Sequence, residues 1–192
     1  SLDFPDDVTL SFSRIQIAGQ GFEETHILSF LSPSSESLAD FLSTLSGSKW
    51  DNYVEKVRPL VDSVRRSAGI VTQAINQEAV NPIGQAWLFK VKSKNAPAFY
   101  EAYSKVMDKF NFPGFSGTGQ ITHGLSNGEN LFIYATYENL NSAFTFGPKN
   151  EDEAKAFAEF FETTGEFAEF SQTFTRVLIK EYKYCLLYTS PS

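Results

Sequence analysis

An α+β fold of two tandem units is what this sequence predicts. Each unit runs strand–helix–strand–strand–helix–strand around an antiparallel sheet, and the first lacks its opening strand and helix. Three observations lead there. Short segments alternate apolar and polar side chains, the period of a strand with two different faces. Between them, other segments repeat apolar residues at three- and four-residue steps, the period of a helix with one buried face. The same order of elements then recurs along the chain.

In the N-terminal half, Val8 to Ile17 alternates as a strand, Gly19-Gln20-Gly21 turns the chain, and His26 to Leu31 returns. Ser37 to Leu45 is a short amphipathic segment. Trp50, Tyr53, Val54, Val57, Val61 and Val64 trace a helical stripe, interrupted at Pro59, where a helix must kink or restart. Ile70 to Ile75 is the closing strand. Asn81-Pro82-Ile83-Gly84 links the halves, because Asn-Pro and Gly positions favour turns.

The C-terminal half is clearer. From Gln85 to Lys92, Trp87, Phe89 and Val91 alternate with Leu88, Lys90 and Lys92. Asn95 is a candidate helix cap, and Pro97 fits a first turn whose N–H groups lack intrahelical partners. Phe99, Tyr103, Val106 and Phe110 then line one helix face, which Phe112-Pro113-Gly114 ends. Gln120 to Leu125 reads as a strand with Ile121, His123 and Leu125 on one side, so His123 is expected to be buried. Asn127-Gly128 predicts a tight hairpin with positive φ at both residues, and Leu131 to Tyr137 returns. Asn150 caps a second helix, with Glu151, Asp152 and Glu153 at the positive end of its dipole. Its buried face is expected at Ala154, Phe157, Ala158 and Phe161. Gly165 breaks it, a short helical turn through Phe167 and Phe170 follows, and Thr173 to Tyr182 is the last strand.

Laid over Asn130–Ile179 without gaps, His26–Ile75 matches in apolar positions: Ile27 with Leu131, Phe30 with Tyr134, Tyr53 with Phe157, Val57 with Phe161 and Ile75 with Ile179. The repeat rests on element order and spacing, since few residues are identical. This pattern resembles the dimeric α+β barrel superfamily, built of ferredoxin-like units that occur as two chains or as a tandem fusion. The resemblance covers nearly all of residues 8–183. It implies an incomplete first unit over 1–80 and a complete second unit over 81–184. The tail Cys185-Leu-Leu-Tyr-Thr-Ser-Pro-Ser192 resembles the translation of a transposase mosaic-end sequencing adapter. It is expected to be non-native, and the chain to be a metagenomic fragment.

Composition narrows the function. Among 192 residues, 16 Lys and Arg face 23 Asp and Glu; the resulting net charge of -7 argues against a nucleic-acid partner. No apolar run approaches the roughly 20 residues of a membrane-spanning helix, so no membrane partner is expected. One cysteine excludes an internal disulfide framework and a multi-cysteine zinc site. Nineteen phenylalanines predict an aromatic-rich core.

Candidate chemistry is sparse. His26 and His123 are the two histidines, and neither has a neighbour at metal-ligand spacing, so no metal and no cofactor is expected. His26, at a strand entrance, reads as solvent-facing; His123 reads as a hydrogen-bonded lining residue. Arg14, Gln16, Gln73, Tyr134 and Arg176 interrupt apolar strand patterns. Burying such groups costs free energy unless they are paired, so clustering in one cavity would suit a polar or anionic ligand. His123, Tyr134, Arg176, Arg14 and Gln73 are therefore the candidate ligand-binding residues. Gly19-Gln20-Gly21 and Gly117-Thr118-Gly119 do not complete a phosphate-binding fingerprint and read as turns. Three functions follow: a small-molecule-binding protein, an enzyme, or a structural protein that forms homo-oligomers through aromatic helical faces such as Phe160, Phe167 and Phe170. For the enzyme, the superfamily resemblance implies cofactor-independent monooxygenase-like or isomerase-like chemistry, with His123, Tyr134 and Arg176 as its residues.

Overall fold

The computed structural model describes residues 5–124 and 127–182. Its elements are β1 (Thr9–Ala18), β2 (His26–Leu31), α1 (Ser35–Ser43), α2 (Gly47–Val57), β3 (Ala68–Ile75), β4 (Ile83–Val91), α3 (Ala96–Met107), β5 (Ser116–His123), β6 (Leu131–Tyr137), α4 (Leu140–Phe144), α5 (Glu151–Gly165) and β7 (Ala168–Tyr182). In hydrogen-bonding order β2 lies beside β1, and the strands of the second unit run β7-β4-β6-β5-β3. The fold is α+β with an antiparallel sheet, as the alternation predicts. Two compact units divide the described chain. One holds residues 5–14, 26–65 and 179–182, the other residues 15–25 and 66–178.

In the first unit, β1 and β2 form an antiparallel hairpin with Arg14 opposite His26. Ser34 caps α1 by accepting a hydrogen bond from the Ser37 N–H at 3.1 Å. Asp7 fixes the same helix start by accepting from the hydroxyls of Ser32 and Ser37. Phe41 of α1 is buried and packs against Phe30 of β2. The predicted stripe from Trp50 to Val64 fares differently. It forms α2 and a 3₁₀ turn at Arg58–Leu60, with Pro59 in that turn, and Val61 and Val64 lie beyond any helix. No residue of α2 is buried.

In the second unit, β4 pairs with β6 on one side and β7 on the other, β5 lies beside β6, and β3 beside β5, all antiparallel. The run β4-α3-β5-β6-α5-β7 has the predicted order of elements. One helix stripe is as predicted, since α3 buries Phe99, Tyr103 and Val106 together with Ala102. These meet Phe89, Val91, Leu131 and Phe160 in one cluster. A second cluster joins Ile83, Phe112, Ala135, Tyr137 and Ala143. The aromatic count is thus spent on tilted and edge-on ring contacts, such as Phe99 on Phe89 and Phe160.

Several expectations are corrected. Asn95 makes no side-chain cap, because the chain enters α3 through a 3₁₀ turn over Ser93–Asn95 that leaves Asn95 itself helical. Asn150 does cap α5, accepting from the Glu153 N–H at 2.9 Å. The fully buried residues of α5 are Glu153, Ala156, Phe160 and Thr164; of the expected face, Phe157 is half-buried against the core cluster, whereas Ala154, Ala158 and Phe161 are exposed. The Glu153 carboxylate accepts from the Lys149 N–H and is buried there, and Phe161 is left 60% exposed. Beyond Gly165 the chain enters β7 at Ala168, so Phe170 lies on a strand and not in a helical turn. At Asn127-Gly128 only Gly128 has positive φ, and the connection from β5 to β6 is longer than a two-residue hairpin. Leu125 lies outside the described residues, as does the tail from Cys185. The helix α4, capped by Asn139, was not foreseen.

Candidate functional site

Alternation along the strands gives the second unit's sheet two faces. Ile83, Phe89 and Val91 of β4 and Leu131, Ala135 and Tyr137 of β6 point into the helix-covered core clusters. The intervening residues, Gly84 and Ala86 on β4 and Phe132, Tyr134 and Thr136 on β6, belong to the opposite face. There the cross-strand partner of Gly84 is Arg176 on β7, and the partner of Ala86 is Tyr134 on β6. The two polar side chains therefore approach each other diagonally across the central strand.

Arg176 Nε donates a hydrogen bond to the Tyr134 hydroxyl at 2.7 Å, and its Nη1 donates to the Pro82 carbonyl at 3.3 Å. The guanidinium carbon lies 5.7 Å from the Tyr134 ring centroid. Gly84 makes this possible. A methyl group there would stand 2.6 Å from Arg176 Nε and closer still to the Tyr134 hydroxyl. Burial raises the Tyr134 pKa, while the Arg176 charge and hydrogen bond oppose that rise. The phenol is thus protonated at neutral pH. Because its oxygen accepts from Arg176, its own O–H remains to donate elsewhere.

The surroundings are aromatic and glycine-lined. Phe115 lies 6.0 Å from Tyr134 between ring centroids, and Phe22 lies 5.1 Å from Phe174. Phe132 rests over Gly119 and Phe115 over Gly117, where any Cβ would collide with the ring. Chemically, a neutral phenol backed by a guanidinium can donate to a carbonyl or oxyanion, and aromatic walls suit a planar organic molecule.

The other sequence-derived candidates lie elsewhere. His123 is exposed where burial was expected, because β5 ends there; its Nδ1 is 2.9 Å from the Thr122 hydroxyl. Gln73 pairs in register with Thr118 and lines a cleft against α3. Arg14 is exposed on β1 in the first unit. His26 is exposed, as expected, and stacks on Phe12 with centroids 5.3 Å apart. Gly84, Phe115 and Phe132 were not singled out as site residues. Gly84 follows an Asn-Pro pair and reads as a turn, and only cross-strand register shows its partners. Among the described residues no three His, Cys, Asp or Glu side chains gather to hold a metal ion, and no helix is long and apolar enough to cross a membrane.

No protein-family model and no curated protein matches the chain. Solved structures do. An anthrone oxidase-like protein superposes with a TM-score of 0.58 at 11% identity, covering 93% of this chain and 79% of its own. A "putative monooxygenase" from Lactobacillus acidophilus NCFM gives 0.57 at 16% identity, covering 93% and 80%. A protein of the same description from Fusobacterium nucleatum gives 0.57 at 12%, covering 95% and 84%. The likeness shows the fold, which agrees with the ferredoxin-like α+β arrangement that the sequence predicts.

Proposed function

We propose that this protein binds a small planar aromatic molecule through a carbonyl or phenolic oxygen at the sheet face of the second unit that carries Tyr134 and Arg176. The observation that carries the reading is the Arg176 Nε to Tyr134 hydroxyl bond over Gly84, which leaves a polarised O–H donor among aromatic rings. Hydrogen bonds that involve a charged group are the stronger kind, so the pair favours an oxygen that carries partial negative charge. The test is equilibrium binding of 1-naphthol, followed by its fluorescence. Tyr134→Phe and Arg176→Gln are each expected to weaken binding about tenfold, equivalent to about 1.4 kcal/mol. An affinity in both variants equal to that of the parent chain overturns the reading.

An enzymatic reading is favoured by the oxidase and monooxygenase descriptions of the similar structures. In it, a CH₂ group flanked by aromatic rings and conjugated to a ketone loses a proton to water. The Tyr134–Arg176 pair steadies the resulting enolate oxygen. Molecular oxygen then converts the CH₂ to C=O, with one O₂ consumed and one water released. Oxygen uptake with anthrone above the protein-free rate, and abolished in Tyr134→Phe, supports catalysis; uptake equal to the protein-free rate leaves a binding protein. The tandem origin of the two halves belongs to the same proposal and is supported by the matched element order.

A further inference from the structure

The Tyr134–Arg176 pair stands at one end of a largely apolar strip. Alternation along β4 places Gly84, Ala86, Leu88 and Lys90 on one face. Cross-strand register sets Phe174 and Tyr134 on either side of Ala86, then Gln172 and Phe132 on either side of Leu88. At about 3.4 Å per residue, Gly84 to Leu88 spans about 14 Å. Lys90, in an ion pair of 2.9 Å with Glu169, closes the far end. The near end is closed as well, because β4 starts at Ile83 and Arg176 donates to the Pro82 carbonyl. Gln172 Nε2 is committed to Glu129 at 3.0 Å. Leu88, Phe132 and Phe174 are half-buried, so each keeps apolar surface that a bound molecule can cover.

We infer that the ligand of this face is elongated, carries its oxygen at one end of its long axis, and lies along β4. The inference rests on the proposed Tyr134–Arg176 site and adds the shape of its ligand. The oxygen accepts from the Tyr134 hydroxyl above Gly84, a first ring covers Ala86 beside Phe174, and a second ring reaches Leu88 and Phe132. Leu88 and Phe132 thereby set specificity, since only a molecule longer than one ring meets them. A molecule with its oxygen midway along its length has to lie across β4 instead. There Tyr134 and Phe174 stand on strands about 10 Å apart, and their own rings take up part of that width.

The isomers 2-naphthol and 1-naphthol have the same composition and differ in where the oxygen sits. Titrated into the full chain and followed by fluorescence, 2-naphthol is expected to bind at least about fivefold tighter than 1-naphthol. Leu88→Ala and Phe132→Leu are each expected to weaken 2-naphthol about threefold. Both should leave the affinity for phenol, which ends over Ala86, unchanged. Tyr134→Phe should weaken all three compounds. Equal affinity of the parent chain for the two naphthols overturns the inference and leaves the Tyr134–Arg176 reading standing. So does 2-naphthol binding in Leu88→Ala and Phe132→Leu that matches the parent chain. If neither naphthol binds the parent chain, or Tyr134→Phe binds both as tightly as the parent does, that reading fails and this inference fails with it.

Discussion

The two faces of the second unit's sheet treat polar groups in opposite ways. On the helix-covered face the packing is dense: Phe99 and Leu131 have no exposed surface, yet Tyr137 Oη and Gln73 Oε1 are buried without a hydrogen-bond partner. On the other face glycines replace side chains beneath the rings, and the phenol of Tyr134 is tied to Arg176 at 2.7 Å. The apolar clusters lie on the face where two buried oxygens go unpaired, and on the other face Gly84 leaves room for Arg176 to reach the Tyr134 oxygen. The helix face thus holds the unit together, and the other face carries the polar pair on which the proposed function rests.

The comparison breaks first at its apolar end. Phe99→Ala removes the fully buried ring that joins Phe89 and Phe160, and a loss of about 3–5 kcal/mol is expected in urea unfolding. A loss below about 1 kcal/mol would mean that this cluster is not the core. A smaller effect sharpens the contrast. Tyr137→Phe deletes a buried hydroxyl with no partner, so stability at pH 7 should hold or rise by up to about 1 kcal/mol.

The same residue gives a pH signature. Burial raises the pKa of Tyr103, Tyr134 and Tyr137 in the folded chain. Their contribution is present in full below the unfolded value of about 10 and is lost as pH rises through the higher folded values. The thermal midpoint should therefore fall above about pH 10. Tyr137→Phe should make that fall shallower; an identical slope would contradict the burial of this phenol.

Much of the fold was legible because strand alternation and helix stripes report which side of an element is apolar. β2 and β6 lie where the alternation puts them, and α3 buries the stripe Phe99, Tyr103 and Val106. Periodicity does not report what covers a stripe. The α2 stripe has the same pattern and no buried residue, and α5 buries Glu153, Ala156 and Phe160 while Phe161 of the expected face is exposed. Of the candidate site, Tyr134 and Arg176 were visible as polar interruptions of apolar strands. Their meeting was not, since it depends on β4 lying between β6 and β7 and on Gly84 at the crossing. Alternation cannot show that a strand is about to end, and so it places His123 inside where the structure exposes it.

The central claim is that Arg176 and Tyr134 form a hydrogen-bonded pair set to receive a ligand oxygen. Hydrogen exchange of the Arg176 Nε–H, followed by ¹⁵N NMR with and without 1-naphthol, tests it most directly. Slow exchange in the parent chain, a shift on adding 1-naphthol, and fast exchange in Tyr134→Phe are the predicted results. Exchange as fast as in an unhindered arginine, or exchange unaltered by Tyr134→Phe, would contradict the account.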